Sequence, residues 1–376
     1  MLTLPDNLTP DSFLNKYWQK RPLHMTRALE RLQPAMTRNE LAWLAMHDDV
    51  ESRIVFVDRR GANPRYRVAS GPFDSKFLRN LPKRDWTLLV HDVEKHIPAM
   101  RALFDAVPFI PDWRIDDLMV SFAAPGGGVG PHRDHYDVFL CQGIGIRNWC
   151  FDEDHIEDNP EASDDLALLK EFSGDEVNAT EGDVLYIPPG VAHWGVAKRA
   201  CMTYSIGMRA PEAADLCFAL DCSTPDDTVF YRDPDLQTNE SIPGYISNAA
   251  AKRATAMLGL QDERHAEVAK ALGQFATQSK EWLKPNGASS DEIDSILLHW
   301  QNGANLELHG MAQVAYDDHN FYLNGEQSPL TANCKELLAD LCQQKELCSN
   351  IFVNDDVRRI MSWMLQHGAF EIPEVS

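Results

Sequence analysis

No part of the sequence approaches the run of about 20 apolar residues that a membrane-spanning helix needs. The opening residues, Met1-Leu-Thr-Leu-Pro-Asp6, lack the basic patch and apolar core of a secretory signal. The eight cysteines (Cys141, Cys150, Cys201, Cys217, Cys222, Cys334, Cys342 and Cys348) include no Cys-x-x-Cys pair, which removes the usual frame of a structural zinc site. There is no internal repeat and no low-complexity tract. Basic residues are in the minority, with 35 Lys and Arg against 57 Asp and Glu and a net charge of −22. Such a chain repels phosphate backbones and attracts basic partners. These absences lead us to expect a soluble cytoplasmic protein with reduced thiols, no membrane association and no direct contact with nucleic acid.

What remains is an ordinary globular composition, 44% apolar and 24% charged, over 376 residues. That length accommodates two or three domains. Thr9-Pro-Asp-Ser-Phe13 starts a helix running to Trp18, and Thr37-Arg-Asn-Glu40 has capping-box spacing. From about residue 52 the pattern turns to short strands: 53–57, 66–68, 86–90, 118–122, 137–140, 147–151, 183–187 and 202–206. One helix, Val93 to Phe104, interrupts them. Many short strands separated by Gly and Pro predict a jelly-roll sandwich or barrel. After Pro211 helical periodicity takes over, at 212–220, 249–258, 263–275 and 291–300. A hairpin around Asp317-Asp-His-Asn320, then helices at 335–342 and 355–367, resembles a winged helix. The class is therefore α+β, with expected divisions at 1–210, 211–304 and 305–376.

The segment that carries chemistry is Gly126-Gly-Gly-Val-Gly-Pro-His132-Arg-Asp134. On an extended strand His132 and Asp134 share a face, and His135 points the other way. A third ligand comes from Gly182-Asp-Val-Leu-Tyr-Ile-Pro-Pro-Gly-Val-Ala-His193, where a strand ends in a turn and delivers a histidine. Two imidazoles and one carboxylate are the facial triad of non-haem iron(II) oxygenases. The open coordination positions suit a keto-acid cosubstrate and dioxygen. A keto diacid also needs a cation for its far carboxylate, and Arg147 on the next strand offers a planar fork. Ser121, on the strand before the glycine run, can add a hydrogen bond. His91, His96 and His155 belong to no such pattern.

At these residues the chain resembles the JmjC-type bacterial ribosomal oxygenases, from Phe13-Leu-Asn-Lys-Tyr-Trp-Gln-Lys-Arg-Pro-Leu23 through Pro125–Asp134 and Gly182–His193 to Tyr204-Ser-Ile-Gly-Met-Arg-Ala-Pro211. The resemblance implies a double-stranded β-helix (jelly-roll, cupin) catalytic domain, a helical dimerisation domain and a C-terminal winged helix. It implies Fe(II) on His132, Asp134 and His193, 2-oxoglutarate anchored by Arg147 and Ser121, and O2 as second cosubstrate. The implied reaction hydroxylates the β-carbon of an arginine in the sixteenth large-subunit ribosomal protein, releasing succinate and CO2. A homodimer acting on that ribosomal protein is the implied assembly. His135, Trp194 and Ile146-Arg-Asn-Trp149 depart from the family pattern without removing a ligand.

A guanidinium substrate calls for acidic or aromatic company, for which Asp116, Asp117, Asp137 and Tyr136 are placed by position. Other readings of the same residues stay open. The same scaffold could hydroxylate histidine or demethylate a methylated lysine, and a winged helix could make a metal-sensing nucleic-acid-binding regulator. The acidic residues around that module (Asp317, Asp318, Glu326, Glu336, Asp340, Asp355 and Asp356) argue against the regulator. An inert cupin-like scaffold has no use for a complete triad with its arginine.

Overall fold

The structure is a computed structural model and describes residues 2–5, 8–30, 35–61, 63–348 and 354–371. It divides into two compact units, one of Met1–Pro108, Ile115–Met208 and Pro234–Leu236, the other of Phe109–Arg114, Arg209–Asp233 and Gln237–Ser376.

The first unit contains α1 (Pro10–Lys16), β1 (Leu23–Met25), α2 (Arg38–Leu44), β2 (Ser52–Asp58), β3 (Arg65–Ser70), α3 (Ser75–Arg79), β4 (Trp86–Val90) and α4 (Val93–His96). It continues with β5 (Ile115–Ala123), β6 (Val138–Gln142), β7 (Arg147–Asp152), β8 (Asp175–Ala179), β9 (Val184–Ile187), β10 (Ala192–Ala197) and β11 (Cys201–Met208). Eight strands form one sheet in the order β1-β9-β6-β11-β5-β4-β2-β3, and β10-β7-β8 form a second. Neighbours are antiparallel throughout. This is the expected jelly-roll sandwich. The fully buried β9 (Val-Leu-Tyr-Ile) reads as a continuous apolar run, while β8 (Asp-Glu-Val-Asn-Ala) is a polar edge strand that periodicity overlooks. The Thr37–Glu40 capping box forms as its spacing predicts.

Two expectations need correction. The helix from Val93 to Phe104 is a single α turn, α4, followed by a 3-10 segment over Pro98–Ala106. Pro98 has no N–H to donate and drives Ile97 out of the helical region, to φ −129° and ψ 86°. The His132–Asp134 segment is also no sheet strand. It is extended chain held by an isolated bridge from His132 to His193.

In the second unit lie α5 (Ala213–Leu220), α6 (Asn248–Met257), α7 (His265–Ala276), α8 (Ser290–Gln301), β12 (Leu306–Glu307), β13 (Val314–Tyr316), β14 (Asn320–Leu323), β15 (Glu326–Pro329), α9 (Lys335–Gln344), β16 (Glu346–Leu347) and α10 (Asp355–Gln366). The predicted hairpin is β13–β14, extended by β15. One apolar core gathers Leu216, Ala250, Ala254, Val268 and Leu272 from α5–α7. A second gathers Ile296, Trp300, Leu338, Leu341, Met361 and Met364 from α8–α10. Alternation on the hairpin serves both: Ala315 and Tyr322 enter the first core, Tyr316 and Phe321 the second. A buried, two-pronged ion pair joins Arg114 to Asp233, at 2.9 Å (Nε–Oδ2) and 3.1 Å (Nη2–Oδ1).

Candidate functional site

Inside the first unit, between its two sheets, lies a cavity of about 260 Å³. Every second residue of β5 faces it (Asp117, Met119, Ser121), joined by Thr87 and Leu89 from β4, Val138 and Leu140 from β6, and Arg147 and Trp149 from β7. The strand alternation that builds the core thus also builds the site.

Among the described residues, the one group able to hold a metal is His132, Asp134 and His193, whose ligand atoms all lie within 4.8 Å of one another. His132 Nε2 is 3.9 Å from Asp134 Oδ1, and His193 Nε2 is 3.6 Å from Asp134 Oδ2. The two rings sit 4.3 Å apart, centroid to centroid. Each ring is oriented by its own backbone. His132 Nδ1 donates to the Gly130 carbonyl at 2.9 Å, and His193 Nδ1 donates to the Val191 carbonyl at 3.1 Å. A carbonyl only accepts, so each ring donates from Nδ1 and presents its Nε2 on the side of Asp134. Burial pushes the His193 ring down to about 4, aided by the nearby His132, so it is neutral and ready to ligate at neutral pH. The Pro188-Pro189-Gly190 turn ties in the third member. Gly190 adopts φ +85°, a left-handed conformation glycine accepts without strain, and its N–H donates to the Asp134 carbonyl at 2.8 Å.

Arg147 is the most telling neighbour. Only 6% of it is exposed, and its Nε and Nη2 have no hydrogen-bond partner among the described residues. Its guanidinium lies 5.3 Å from the Trp149 ring centroid. A buried cation with unmet donors carries a large desolvation cost, which an anion in the cavity offsets. Ser121 lines the same cavity, with its hydroxyl donating only a long 3.5 Å bond to the Thr203 carbonyl. Thr87, fully buried on the same wall, has a hydroxyl with no hydrogen-bond partner among the described residues. The donor set therefore suits a borderline divalent transition metal such as Fe(II), with an anionic ligand beside it. Two nitrogens and one carboxylate leave coordination positions free.

Of the residues placed by position alone, Asp117 and Tyr136 line the cavity and Asp116 and Asp137 do not. Asp137 is wholly buried and accepts from the Tyr186 hydroxyl at 2.5 Å and the Gln19 amide at 2.8 Å, a packing role. His135 is exposed and outside the metal-capable group. Trp194 pairs with Cys150 in the second sheet and does not reach the cavity wall. His91 is the surprise. Without a sequence pattern to mark it, it lines the cavity and bonds Asp117 at 3.1 Å. Arg53 joins it from β2.

Comparison with known proteins agrees with this geometry. Residues 102–216 match the family model described as JmjC domain, and residues 259–362 match the one described as ROXA-like winged helix. A probable ribosomal oxygenase of Haemophilus influenzae is 32% identical over 349 residues, covering 86% of this chain and 83% of the relative. The ribosomal protein uL16 3-hydroxylase of Escherichia coli is 36% identical over 329 residues, covering 85% and 84%. The crystal structure of the E. coli ribosomal oxygenase YcfD superposes with a TM-score of 0.74 at 29% identity over 99% of each chain. The structure of that protein with cobalt and 2-oxoglutarate gives a TM-score of 0.74 at 30% identity, again over 99% of each. With two relatives above 30% identity, each spanning more than four-fifths of both chains, and a cavity that joins a His-Asp-His cluster to a buried arginine, this chain belongs to the JmjC-domain ribosomal oxygenases.

Proposed function

We propose that this chain hydroxylates the β-carbon (C3) of an arginine in ribosomal protein uL16, using Fe(II), 2-oxoglutarate and O2. The observation that carries the reading is one cavity holding both the His132–Asp134–His193 cluster and a buried arginine with unmet donors. His132, Asp134 and His193 would hold the iron. The bound metal and keto acid supply the oxidation, in which O2 is consumed, 2-oxoglutarate becomes succinate and CO2, and a C–H bond becomes C–OH.

The rest is done by the chain's own groups. Arg147 Nε and Nη2 bind the far carboxylate of the keto acid as a fork, with Ser121 and Thr87 as hydroxyl partners. Leu89, Met119, Val138 and Leu140 give the cavity an apolar wall that excludes water. Asp117 accepts the substrate guanidinium at the mouth, and Tyr136 flanks it. A carboxylate there favours a cationic side chain over a neutral imidazole.

The reading also has the chain work in the cytoplasm as a homodimer through helices of residues 211–304, beside a catalytic part at 1–210 and a winged helix at 305–376. An acidic balance of 57 to 35 suits a basic ribosomal protein and disfavours nucleic acid. Among the described residues, no helix is long and apolar enough to cross a membrane. The test is intact mass and tandem fragmentation of uL16 after incubation with the chain, Fe(II) and 2-oxoglutarate. A gain of about one oxygen mass on an arginine, lost without 2-oxoglutarate, supports the assignment. Succinate formation with uL16 unmodified keeps the oxygenase and discards the substrate.

A further inference from the structure

Asp117 can recognise a planar guanidinium well only if its carboxylate is held in one plane, because each ordering step left to binding weakens the complex. We propose that His91 is a positioning residue that sets the Asp117 carboxylate for the substrate arginine, over a floor left open by Gly207. The inference rests on the arginine reading above.

His91 directly follows β4, and its backbone N–H donates to the Glu51 carbonyl at 2.9 Å, which fixes the base of the side chain. Its Nδ1 lies 3.1 Å from Asp117 Oδ2. An ionised carboxylate only accepts, so the ring donates from Nδ1. The other oxygen is flanked by β11, the neighbour of β5 on the side away from β4. A Cβ built on Gly207 would stand 3.0 Å from Asp117 Oδ1 and 4.0 Å from Tyr136 Cε2, so any larger residue there crowds the carboxylate. The backbone beneath is aimed as well. Along β11, Gly207 faces Asp117 but Met208 faces Ile115, an irregularity that leaves Asp116 as the extra residue of a bulge. The buried Glu94 accepts the Leu118 N–H at 3.0 Å and pins the next peptide. His91, Asp117, Gly207 and Tyr136 all face the catalytic cavity, and neither His91 nor Asp117 belongs to the metal-capable group. A histidine spent on structure alone has no need to face that cavity and bond its one acidic substrate contact.

The test uses the full chain with purified uL16 and four variants: His91→Ala, His91→Asn, Asp117→Asn, and His91→Ala combined with Asp117→Asn. His91→Ala should raise KM for uL16 by about tenfold, the size of one hydrogen bond to a charged group, with kcat changing far less. Asn can present an N–H near the Nδ1 position, so His91→Asn should recover most of the loss. On the Asp117→Asn background, His91→Ala should add less than about twofold, because it acts through that carboxylate. Thermal melting identifies a misfolded variant. If His91→Ala does not fold, His91→Leu against His91→Asn carries the same comparison. An unchanged KM in His91→Ala, or a full His91→Ala effect without Asp117, overturns the inference while leaving arginine hydroxylation intact. Absence of arginine hydroxylation by the unmutated chain overturns both readings together.

Discussion

His132 and His193 exchange both of their backbone hydrogen bonds: His132 N–H donates to the His193 carbonyl at 3.0 Å, and His193 N–H returns to the His132 carbonyl at 2.8 Å. Residues 61 positions apart are thereby fixed as a pair before any metal arrives. With Gly190 N–H holding the Asp134 carbonyl, the main chain fixes all three side chains of the cluster. A site organised by the backbone should keep its geometry when one ligand is lost, and should lose metal instead.

That gives the first prediction. Asp134→Ala should fold with the melting midpoint nearly unchanged, yet bind Co(II) more weakly by over about 100-fold, more than loss of an outer partner costs. Calorimetric titration with Co(II) alone checks it. Gly190→Ala, which forces φ +85° on a residue with a Cβ, should cost about 1 kcal/mol of stability and weaken Co(II) binding to a lesser degree.

Arg147→Ala should raise the KM for 2-oxoglutarate by ~30-fold, or about 2 kcal/mol, the value of a hydrogen-bonded charge contact. Thr87→Val keeps the shape and removes the hydroxyl, so a rise of about threefold to tenfold is expected from a neutral donor. Direct binding of 2-oxoglutarate to the Mn(II)-loaded chain separates these effects from turnover.

The strands, the triad and Arg147 were legible because each rests on local chemistry: β-branched runs, a glycine-rich approach to His132-x-Asp134, and the Pro-Pro-Gly turn before His193. What sets Asp117, His91, Thr87 and Gly207 side by side is the register of β4, β5 and β11, which pairs residues about 30 positions apart across β4–β5 and about 80 to 90 apart across β5–β11 and leaves no local mark. Asp116, Asp117, Asp137 and Tyr136 looked equivalent in sequence. A bulge and alternation send Asp117 into the cavity and Asp137 into the packing. The Val93–Phe104 helix failed on Pro98, a breaker that stands in the sequence itself.

Stability should depend on pH through Glu94, whose carboxyl is pushed up to about 7 chiefly by burial, against 4.5 when unfolded. The folded state holds the proton more tightly, so this group favours folding at low pH and loses that contribution as pH rises from about 4.5 to about 7. His193, held at about 4 against 6.5, has the opposite sign: in metal-free protein, stability falls as pH drops from about 6.5 toward 4. Glu94→Gln should therefore raise the unfolding free energy at pH 8 by at most about 3 kcal/mol and matter little at pH 4.5. Urea melts of the apo chain at both values check it.

Asp233→Ala should destabilise the second unit by about 3–5 kcal/mol, because Arg114 is then buried without its counter-charge. Replacing both, Arg114→Met with Asp233→Leu, should cost much less than either single change. Denaturation of the four proteins tests the sign of that non-additivity.

The most direct test of the central claim is an anaerobic titration of 2-oxoglutarate into the Fe(II)-loaded chain, following the visible absorption that arises when a keto acid chelates iron. The account predicts a saturable band that needs both components, is absent in Asp134→Ala, and requires far more keto acid in Arg147→Ala. Iron binding with no band, or a band indifferent to both substitutions, would contradict a shared site built on His132, Asp134, His193 and Arg147.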